Sequence, residues 1–447
     1  MTFARYREEA GAILRLGGPL IAAQLAQISM GFVDTMMAGR LSARDLAAVA
    51  VGANIFWPIC FGWAAVLFAI SPTVSHLYGA GKRQTVGHTV RQGLWLAAAL
   101  ATGALISLYF SPMLLAPAGI PAELIPTTTG FLRAIAWGAP GLCLFNVLRS
   151  YSEGVSLTRP VMYTSLVALG ANIFLDWVFM YGKLGMPVLG AVGCGVASAI
   201  VMWMNAGMML LFVVARKEYK VDGTFSRFEW PHWPEIRALL KLGVPMSMSW
   251  FMEASLFGVT ALIMGTLGTN VVAGHQIALN FASITFMIPL GLAMAITVRV
   301  GHAMGRQDVA AARFSGLTGI SLAAGFMAVS AMCIFTFPQV IAGIYTSDPE
   351  VLKMAITLLF MAAIFQISDG LQVAAAGALR GLKDTRFPMV ITFVAYWLIG
   401  MPLGYTLGIV MGGGARSMWI GIICGLTAAA VLLNTRFYLL TRRLIKG

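Results

Sequence analysis

Four carboxylic acids interrupt long apolar stretches of the sequence: Asp34, Asp176, Glu253 and Asp369. An ionisable side chain inside a bilayer costs at least ~2.5–3.5 kcal/mol, so it should face a cavity or a partner, and it is a candidate for function by default. Burial of a carboxylate favours its neutral form, whereas a nearby cation favours the charged form. The chemistry these four residues predict is therefore cation binding or proton exchange.

Two oxygen-bearing residues of one stretch, Asn172 and Asp176, lie four positions apart and share a helix face. They could supply oxygens to a hard cation, and Asp34 of the same half could add a third group. A sodium ion needs several oxygens, whereas a proton needs a single buried carboxylate, and both fit these residues. The alternative for Asp176 is an interfacial residue paired with Lys183.

Other side chains are candidates for a ligand cavity. His275 and Gln276 stand in the motif AGHQIALN at the start of an apolar stretch, where the histidine is either functional or a satisfied interfacial residue. The 27 Met and 26 Phe residues could line an adaptable cavity for flat, lipophilic cations.

The elements that must position these residues are membrane-spanning helices. The 447 residues are 59% hydrophobic and 11% charged, with a mean hydropathy of +0.83. This composition excludes soluble domains and disorder, and unbroken apolar runs exclude a membrane β-barrel. Runs of about 20 apolar residues predict an all-α membrane protein with twelve spans: 13–38, 46–72, 91–115, 127–149, 160–182, 188–215, 240–266, 274–300, 312–340, 351–379, 388–410 and 416–438.

The net charge of +13 comes from 30 Lys and Arg against 17 acidic residues. Most of the basic residues fall in the termini and in alternate loops, which predicts that both termini are cytoplasmic. The charge then suits anionic lipid headgroups and does not indicate a nucleic-acid partner. The five cysteines stand singly in apolar runs, and we interpret them as packing residues.

The sequence contains an internal repeat. LRLGGP at Leu14–Pro19 returns as LKLGVP at Leu240–Pro245, 226 residues later. The repeat predicts two parallel six-helix bundles, residues 1–215 and 240–447, joined by a cytoplasmic linker at 216–239. Parallel repeats of this kind are typical of secondary transporters that work by alternating access.

The repeat does not duplicate the carboxylates. At the 226-residue offset Asp34 matches Thr260 and Glu253 matches Gln27. After small gaps, at an offset of 228, Asn172 and Asp176 fall near Gly400 and Gly404. Each half is therefore expected to carry its own chemistry on a shared scaffold.

Several long motifs resemble one transporter family. MGFVDTMMAG, FMEASLFGVTALI, AGHQIALNF, YGKLGMPVLGAVGCGVAS and QISDGLQVAAAGALRGLKDTR are similar to motifs of the multidrug and toxic compound extrusion (MATE) family, in its bacterial NorM branch. The resemblance covers essentially the whole chain and agrees with twelve helices in a six-plus-six repeat.

The resemblance implies antibiotic resistance through efflux of drugs, dyes and other small lipophilic cations across the bacterial inner membrane, driven by sodium or protons. It places coupling-cation binding at Asp34, Asn172 and Asp176, and substrate or proton coupling at Glu253 and Asp369. His275, Gln276 and Gln27 are further candidates. It implies a monomer among membrane lipids, without a cofactor, a tightly bound metal or a catalytic residue.

Two other functions compete with this expectation. A flippase for lipid-linked saccharides would need a larger and more basic cavity, whereas the interior candidates here are acidic. An intramembrane enzyme would need a catalytic motif, and neither HExxH nor GxSxG occurs in the sequence. A GxxxxGK[ST] phosphate loop is also missing, which argues against an ATP-driven pump.

Overall fold

The computed structural model describes residues 3–446, and all regular secondary structure in that range is helical. Twelve helices there are long and apolar enough to cross a membrane, which confirms the predicted fold class. We number them α1–α12: Phe3–Leu41, Ala43–Gly79, Arg83–Leu114, Ile125–Gly154, Arg159–Tyr181, Ala191–Ala215, Trp233–Thr266, Thr269–Gly305, Val309–Thr336, Pro349–Gly381, Arg386–Val410 and Gly414–Lys446.

The helices extend beyond most of the predicted spans. α1 begins at Phe3 and not at residue 13, and α7 begins at Trp233 and not at residue 240. The reason is physical: hydropathy marks the apolar thickness of a bilayer, whereas backbone hydrogen bonding continues a helix into its polar flanks.

Four of the described helices change geometry along their length, and one of them, α3, ends in a 3₁₀ turn at Ser111–Leu114. α2 contains a 3₁₀ turn at Ala65–Ala69, and α4 is interrupted at Trp137 and Gly138, just before Pro140. A proline ring lacks the N–H that the preceding turn needs, which accounts for the break in α4. α11 contains two π-helical stretches, Val394–Gly400 and Thr406–Val410.

Glycines bring α11 and α12 into close contact. A Cβ atom placed on Gly421 of α12 would lie 2.3 Å from the Cα atom of Gly404 on α11, and one placed on Gly425 would lie 3.0 Å from the Cα atom of Gly400. Small residues four positions apart allow such an approach of two helix backbones. The contact excludes any larger side chain from this face.

Residue contacts divide the chain into two compact units. The N-terminal unit is Ala22–Ser247, and the rest of the described chain forms the C-terminal unit. Both divisions fall inside helices, within α1 and within α7, shortly after Pro19 and Pro245. These are equivalent positions of the 226-residue repeat. The predicted domain boundaries, at residues 215 and 240, stay a prediction.

Each unit holds the first turns of a helix that continues into the other unit. In the C-terminal unit, Glu9 of α1 accepts hydrogen bonds from Arg299 at 2.9 and 2.5 Å and from Ser315 Oγ at 2.7 Å. In the N-terminal unit, Glu235 of α7 accepts a hydrogen bond from Thr89 Oγ1 at 3.0 Å. Because Glu9 and Ser315 match Glu235 and Thr89 in the repeat, the contact itself is duplicated.

The linker after α6 is packed against the N-terminal unit. Buried Asp222 accepts a hydrogen bond from Tyr151 Oη at 2.6 Å and pairs with Arg83, while burial raises the pKa of this carboxyl. Glu229 pairs with Arg91 at 2.9 Å, and the hydrogen bond from Arg91 lowers the pKa of Glu229 to about 2. The linker is therefore an ordered part of this unit.

Candidate functional site

The predicted residues of the N-terminal unit meet where α1 and α5 pack together. Asn172 Nδ2 donates a hydrogen bond to Asp34 Oδ1 at 3.0 Å. A carboxylate oxygen of Asp176 lies within 4.8 Å of a carboxylate oxygen of Asp34 and of the sulfur of Cys194 on α6. We call Asp34, Asn172, Asp176 and Cys194 the N-unit cluster.

The N-unit cluster contains polar atoms without partners. Asp176 is fully buried, and neither of its carboxylate oxygens accepts a hydrogen bond from a donor among the described residues, while Asp34 lies close enough to form one if either acid is protonated. Asn172 is 1% exposed and its Oδ1 atom is likewise unpaired there. The alternative pairing of Asp176 with Lys183 is therefore wrong, and Lys183 is exposed in the turn after α5.

The negative charge of the N-unit cluster must be balanced by a proton or a cation. Asp176 is buried and Asp34 is half-buried, and their carboxylate oxygens lie within 4.8 Å of each other. Two such charges repel each other, so at least one of the acids must gain a proton or a cation must lie between them. Within residues 3–446, no Lys, Arg or His forms an ion pair with Asp34 or Asp176. The geometry thus suits reversible binding of a small positive species.

A cavity of about 100 Å³ opens beside the N-unit cluster. Its lining combines polar side chains with aromatic and Met side chains: Gln27, Asp34, Asn172, Ser198, Asn205, Met30, Met202, Phe56, Trp57, Phe131 and Phe145. Gln27 therefore shares a cavity with Asp34. Because drug-sized pockets are roughly 300–1,000 Å³, this cavity has the size for an ion and its waters and must widen to admit a drug.

The predicted acids of the C-terminal unit also lie close together. Glu253 of α7 and Asp369 of α10 interact electrostatically with each other and with Tyr396 of α11. Asp369 is 4% exposed and its Oδ1 atom has no partner among the described residues. Tyr396 Oη donates a hydrogen bond to Gln372 Oε1 at 2.6 Å. We call Glu253, Asp369, Gln372 and Tyr396 the C-unit cluster.

His275 is buried, while its neighbour Gln276 is exposed. Trp419 Nε1 donates a hydrogen bond to His275 Nδ1 at 3.1 Å, and the two rings pack edge to face. A ring that accepts at Nδ1 carries its proton on Nε2 when neutral, and Nε2 has no partner among the residues described. His275 is therefore a buried histidine with one ring nitrogen hydrogen-bonded, and its role stays a prediction.

Sequence reasoning missed three members of the two clusters. Gln372 could have been found, because it follows Asp369 by three residues and shares its helix face. Cys194 and Tyr396 could not have been found in this way, because each reaches its cluster from a different helix, α6 or α11. The interpretation of all five cysteines as packing residues is incomplete for Cys194, which lies beside two carboxylates.

Comparison with known proteins agrees with this architecture. The MatE family model matches residues 19–178 and again residues 245–406, one match in each half of the repeat. The chain is 40% identical to the multidrug resistance protein NorM of Aliivibrio fischeri over 98% of this chain and 96% of that protein. It is 44% identical to the multidrug resistance protein MdtK of Yersinia pseudotuberculosis over 97% and 96% of the two chains.

Solved structures share the fold at lower sequence identity. A MATE crystal structure in a straight conformation superposes with a TM-score of 0.90 at 22% identity, over 98% of this chain and 97% of that one. The eukaryotic MATE transporter AtDTX14 gives a TM-score of 0.87 at 20% identity, over 98% of both chains. The repeat, the twelve helices and the two-part family match lead to one conclusion: the chain belongs to the MatE family.

Proposed function

We propose that this chain is a multi-pass inner-membrane transporter that exports small lipophilic cations, including drugs and dyes, in exchange for sodium ions or protons. The observation that carries the proposal is the N-unit cluster, in which buried Asp176 and half-buried Asp34 lie beside a cavity and form no ion pair with a basic side chain among the described residues. The names of the NorM and MdtK relatives, both multidrug resistance proteins, support the same activity and a role in antibiotic resistance.

The N-unit cluster is the proposed coupling-ion site. Asp34, Asn172 and Asp176 together offer carboxylate and amide oxygens for sodium, and Asp34, which also faces the cavity, offers a carboxylate to a proton. An ion bound there can drive exchange only if it favours one conformation of the protein over another, since a ligand of equal affinity for both shifts nothing.

The C-unit cluster is the proposed second site, where Glu253 and Asp369 bind the cationic substrate or exchange protons with it. Aromatic and Met side chains in the N-terminal cavity suit flat lipophilic cations through cation–π contacts and adaptable packing. The proposed transport uses only the coupling ion and no cofactor.

The proposed setting is a monomer among membrane lipids with both termini in the cytoplasm. The distribution of Lys and Arg supports this orientation. The linker supports it too, because Arg83, Arg91 and Arg227 are held there by Asp222 and Glu229, on the side that the positive-inside rule assigns to the cytoplasm.

The saccharide flippase alternative predicts a basic cavity. The lining of the N-terminal cavity includes Asp34 and contains no Lys or Arg among the described residues, which favours cationic over anionic ligands. The intramembrane enzyme alternative gains no support from the two clusters, which contain no Ser or His paired as nucleophile and base.

Dye accumulation in inverted membrane vesicles tests the proposal. An imposed sodium or proton gradient should drive uptake of a cationic dye, and Asp34→Asn should reduce that uptake to the level of empty vesicles. Glu8→Gln, which neutralises an exposed carboxylate of the same helix, is the matched control and should transport normally. Full gradient-driven transport by Asp34→Asn would refute the proposal.

A further inference from the structure

Cys194 gives the N-unit cluster a donor atom that an alkali cation does not use. Within residues 3–446, one group of three or more His, Cys, Asp or Glu side chains is compact enough to hold a metal ion, and it consists of Asp34, Asp176 and Cys194. A thiolate ligand selects soft or borderline metals, whereas carboxylate and carbonyl oxygens alone suit hard cations.

A second observation points to a ligand at the same place. Both oxygens of Asp176 and the Oδ1 atom of Asn172 are buried without hydrogen-bond partners among the described residues. Buried polar atoms in proteins are nearly always paired. Three buried oxygens without a donor, next to one carboxylate–thiol group, can act as ligands of a cation.

The three ligand atoms lie nearly as close together as the ligands of a tetrahedral metal ion. Ligand bonds of about 2.0–2.3 Å to zinc place neighbouring ligand atoms roughly 3.3–3.8 Å apart. The three ligand atoms here already lie within 4.8 Å of one another. Side-chain rotations that move each atom by about 1 Å close the site, and the cavity lined by Asp34 and Asn172 provides access.

We propose that Asp34, Asp176 and Cys194 form a binding site for a thiophilic divalent cation of the Zn²⁺ or Cd²⁺ class, with Asn172 as an additional oxygen donor. Binding forms a metal–sulfur bond and releases the thiol proton. This inference rests on the proposed function in one respect: because the site shares Asp34 and Asp176 with the coupling ion, the divalent cation competes with that ion and inhibits transport.

Cadmium inhibition of transport tests the competition. Micromolar CdCl₂ should inhibit dye efflux by the wild-type protein in proteoliposomes, and a higher sodium concentration or a lower pH should relieve that inhibition. Each variant is compared with its own rate without cadmium. Cys194→Ser should raise the half-inhibiting cadmium concentration about tenfold or more, as expected for loss of a ligand.

Cys60→Ala is the matched control, because it removes another fully buried thiol from the same unit within an apolar cluster. It should leave cadmium inhibition unchanged. The proposal is overturned if the wild type is insensitive to cadmium, if Cys194→Ser is inhibited as strongly as the wild type, or if Cys60→Ala relieves the inhibition instead.

Direct binding gives a readout that does not depend on transport. Titration of purified protein with CdCl₂ should produce ultraviolet sulfur-to-cadmium charge-transfer absorption, which Cys194→Ser and Asp176→Asn should each reduce and Cys60→Ala should retain. Absorption that persists in Cys194→Ser would contradict the site. Ion-driven efflux by the wild type without cadmium tests the proposed function separately. A failure of the proposed metal site can therefore be told apart from a failure of the proposed transport function.

Discussion

The two acidic clusters differ in how their charges are balanced. In the N-unit cluster, Asp34 and Asp176 have an amide and a thiol beside them and form no ion pair among the described residues. In the C-unit cluster, the positive charge of Arg380 acts on Glu253, and Tyr396 and Gln372 form a hydrogen bond next to the acids. The N-unit cluster therefore depends more than the C-unit cluster on a bound proton or cation to balance its charge.

The two halves of the repeat carry different residues at corresponding helix positions. Asn172 and Asp176 of α5 match Gly400 and Gly404 of α11, where the glycines bring α12 within backbone contact. One half therefore uses these helix positions for oxygen donors, and the other half uses them for close packing. A larger side chain at the matching place would be tightly confined, because a Cβ atom on Gly400 or Gly404 would lie 3.2 or 3.0 Å from its nearest neighbour.

The largest expected effect separates the clusters by function. Glu253→Gln and Asp369→Asn should each abolish gradient-driven efflux, because each removes a carboxylate of the C-unit cluster. Sodium or proton binding by the N-unit cluster should persist in both variants. Transport assays together with isothermal titration of the purified variants check this. Normal efflux by both variants would show that the C-unit carboxylates are not needed for transport.

The next effect concerns the pairing of the two N-unit carboxylates. Asp176→Asn should weaken binding of a sodium ion by about tenfold or more, because the cation loses one of two charged ligands. If the proton is the coupling ion, Asp34 carries it and the variant should keep most of its pH-driven exchange. Sodium-dependent and pH-dependent efflux of the same preparation decide between these two ions.

A stability effect is expected at the glycine contact of the C-terminal unit. Gly421→Val should destabilise the protein by about 1–3 kcal/mol or more, since its added carbons overlap the backbone at Gly404. Gly325→Val is the matched control, because a Cβ there meets nothing within 4 Å. Thermal unfolding in detergent measures both variants, and equal stability would contradict the packing argument.

The smallest effect is expected in the linker, which contributes no residue to either acidic cluster. The folded protein holds the pKa of Glu229 at about 2, below its unfolded value of about 4.3. The Glu229–Arg91 pair therefore stabilises the fold above about pH 4.3, and this contribution is lost as the pH falls toward 2. Glu229→Gln should lower stability at neutral pH by about 1 kcal/mol or less.

The pH dependence distinguishes this prediction from a general loss of structure. The difference in thermal stability between Glu229→Gln and the wild type should become smaller as the pH is lowered from 5 toward 3. A stability difference that stays constant over that interval would show that the ionised carboxylate is not the source.

The sequence was sufficient for the fold because hydropathy runs report bilayer thickness directly, and all twelve spans appear in the structure. It also identified Asp34, Asn172 and Asp176 together, since unbalanced carboxylates in apolar helices are conspicuous. It could not identify Cys194 or Tyr396, whose roles depend on packing between helices distant in sequence.

The central claim is that the coupling ion acts at the N-unit cluster. Its most direct test is the release of a bound fluorescent cation from purified protein, measured as a function of sodium concentration and of pH, for the wild type and for Asp34→Asn. Sodium or protons should release substrate from the wild type, whereas Asp34→Asn should lose this dependence while still binding substrate. Unchanged ion-dependent release in Asp34→Asn would contradict it.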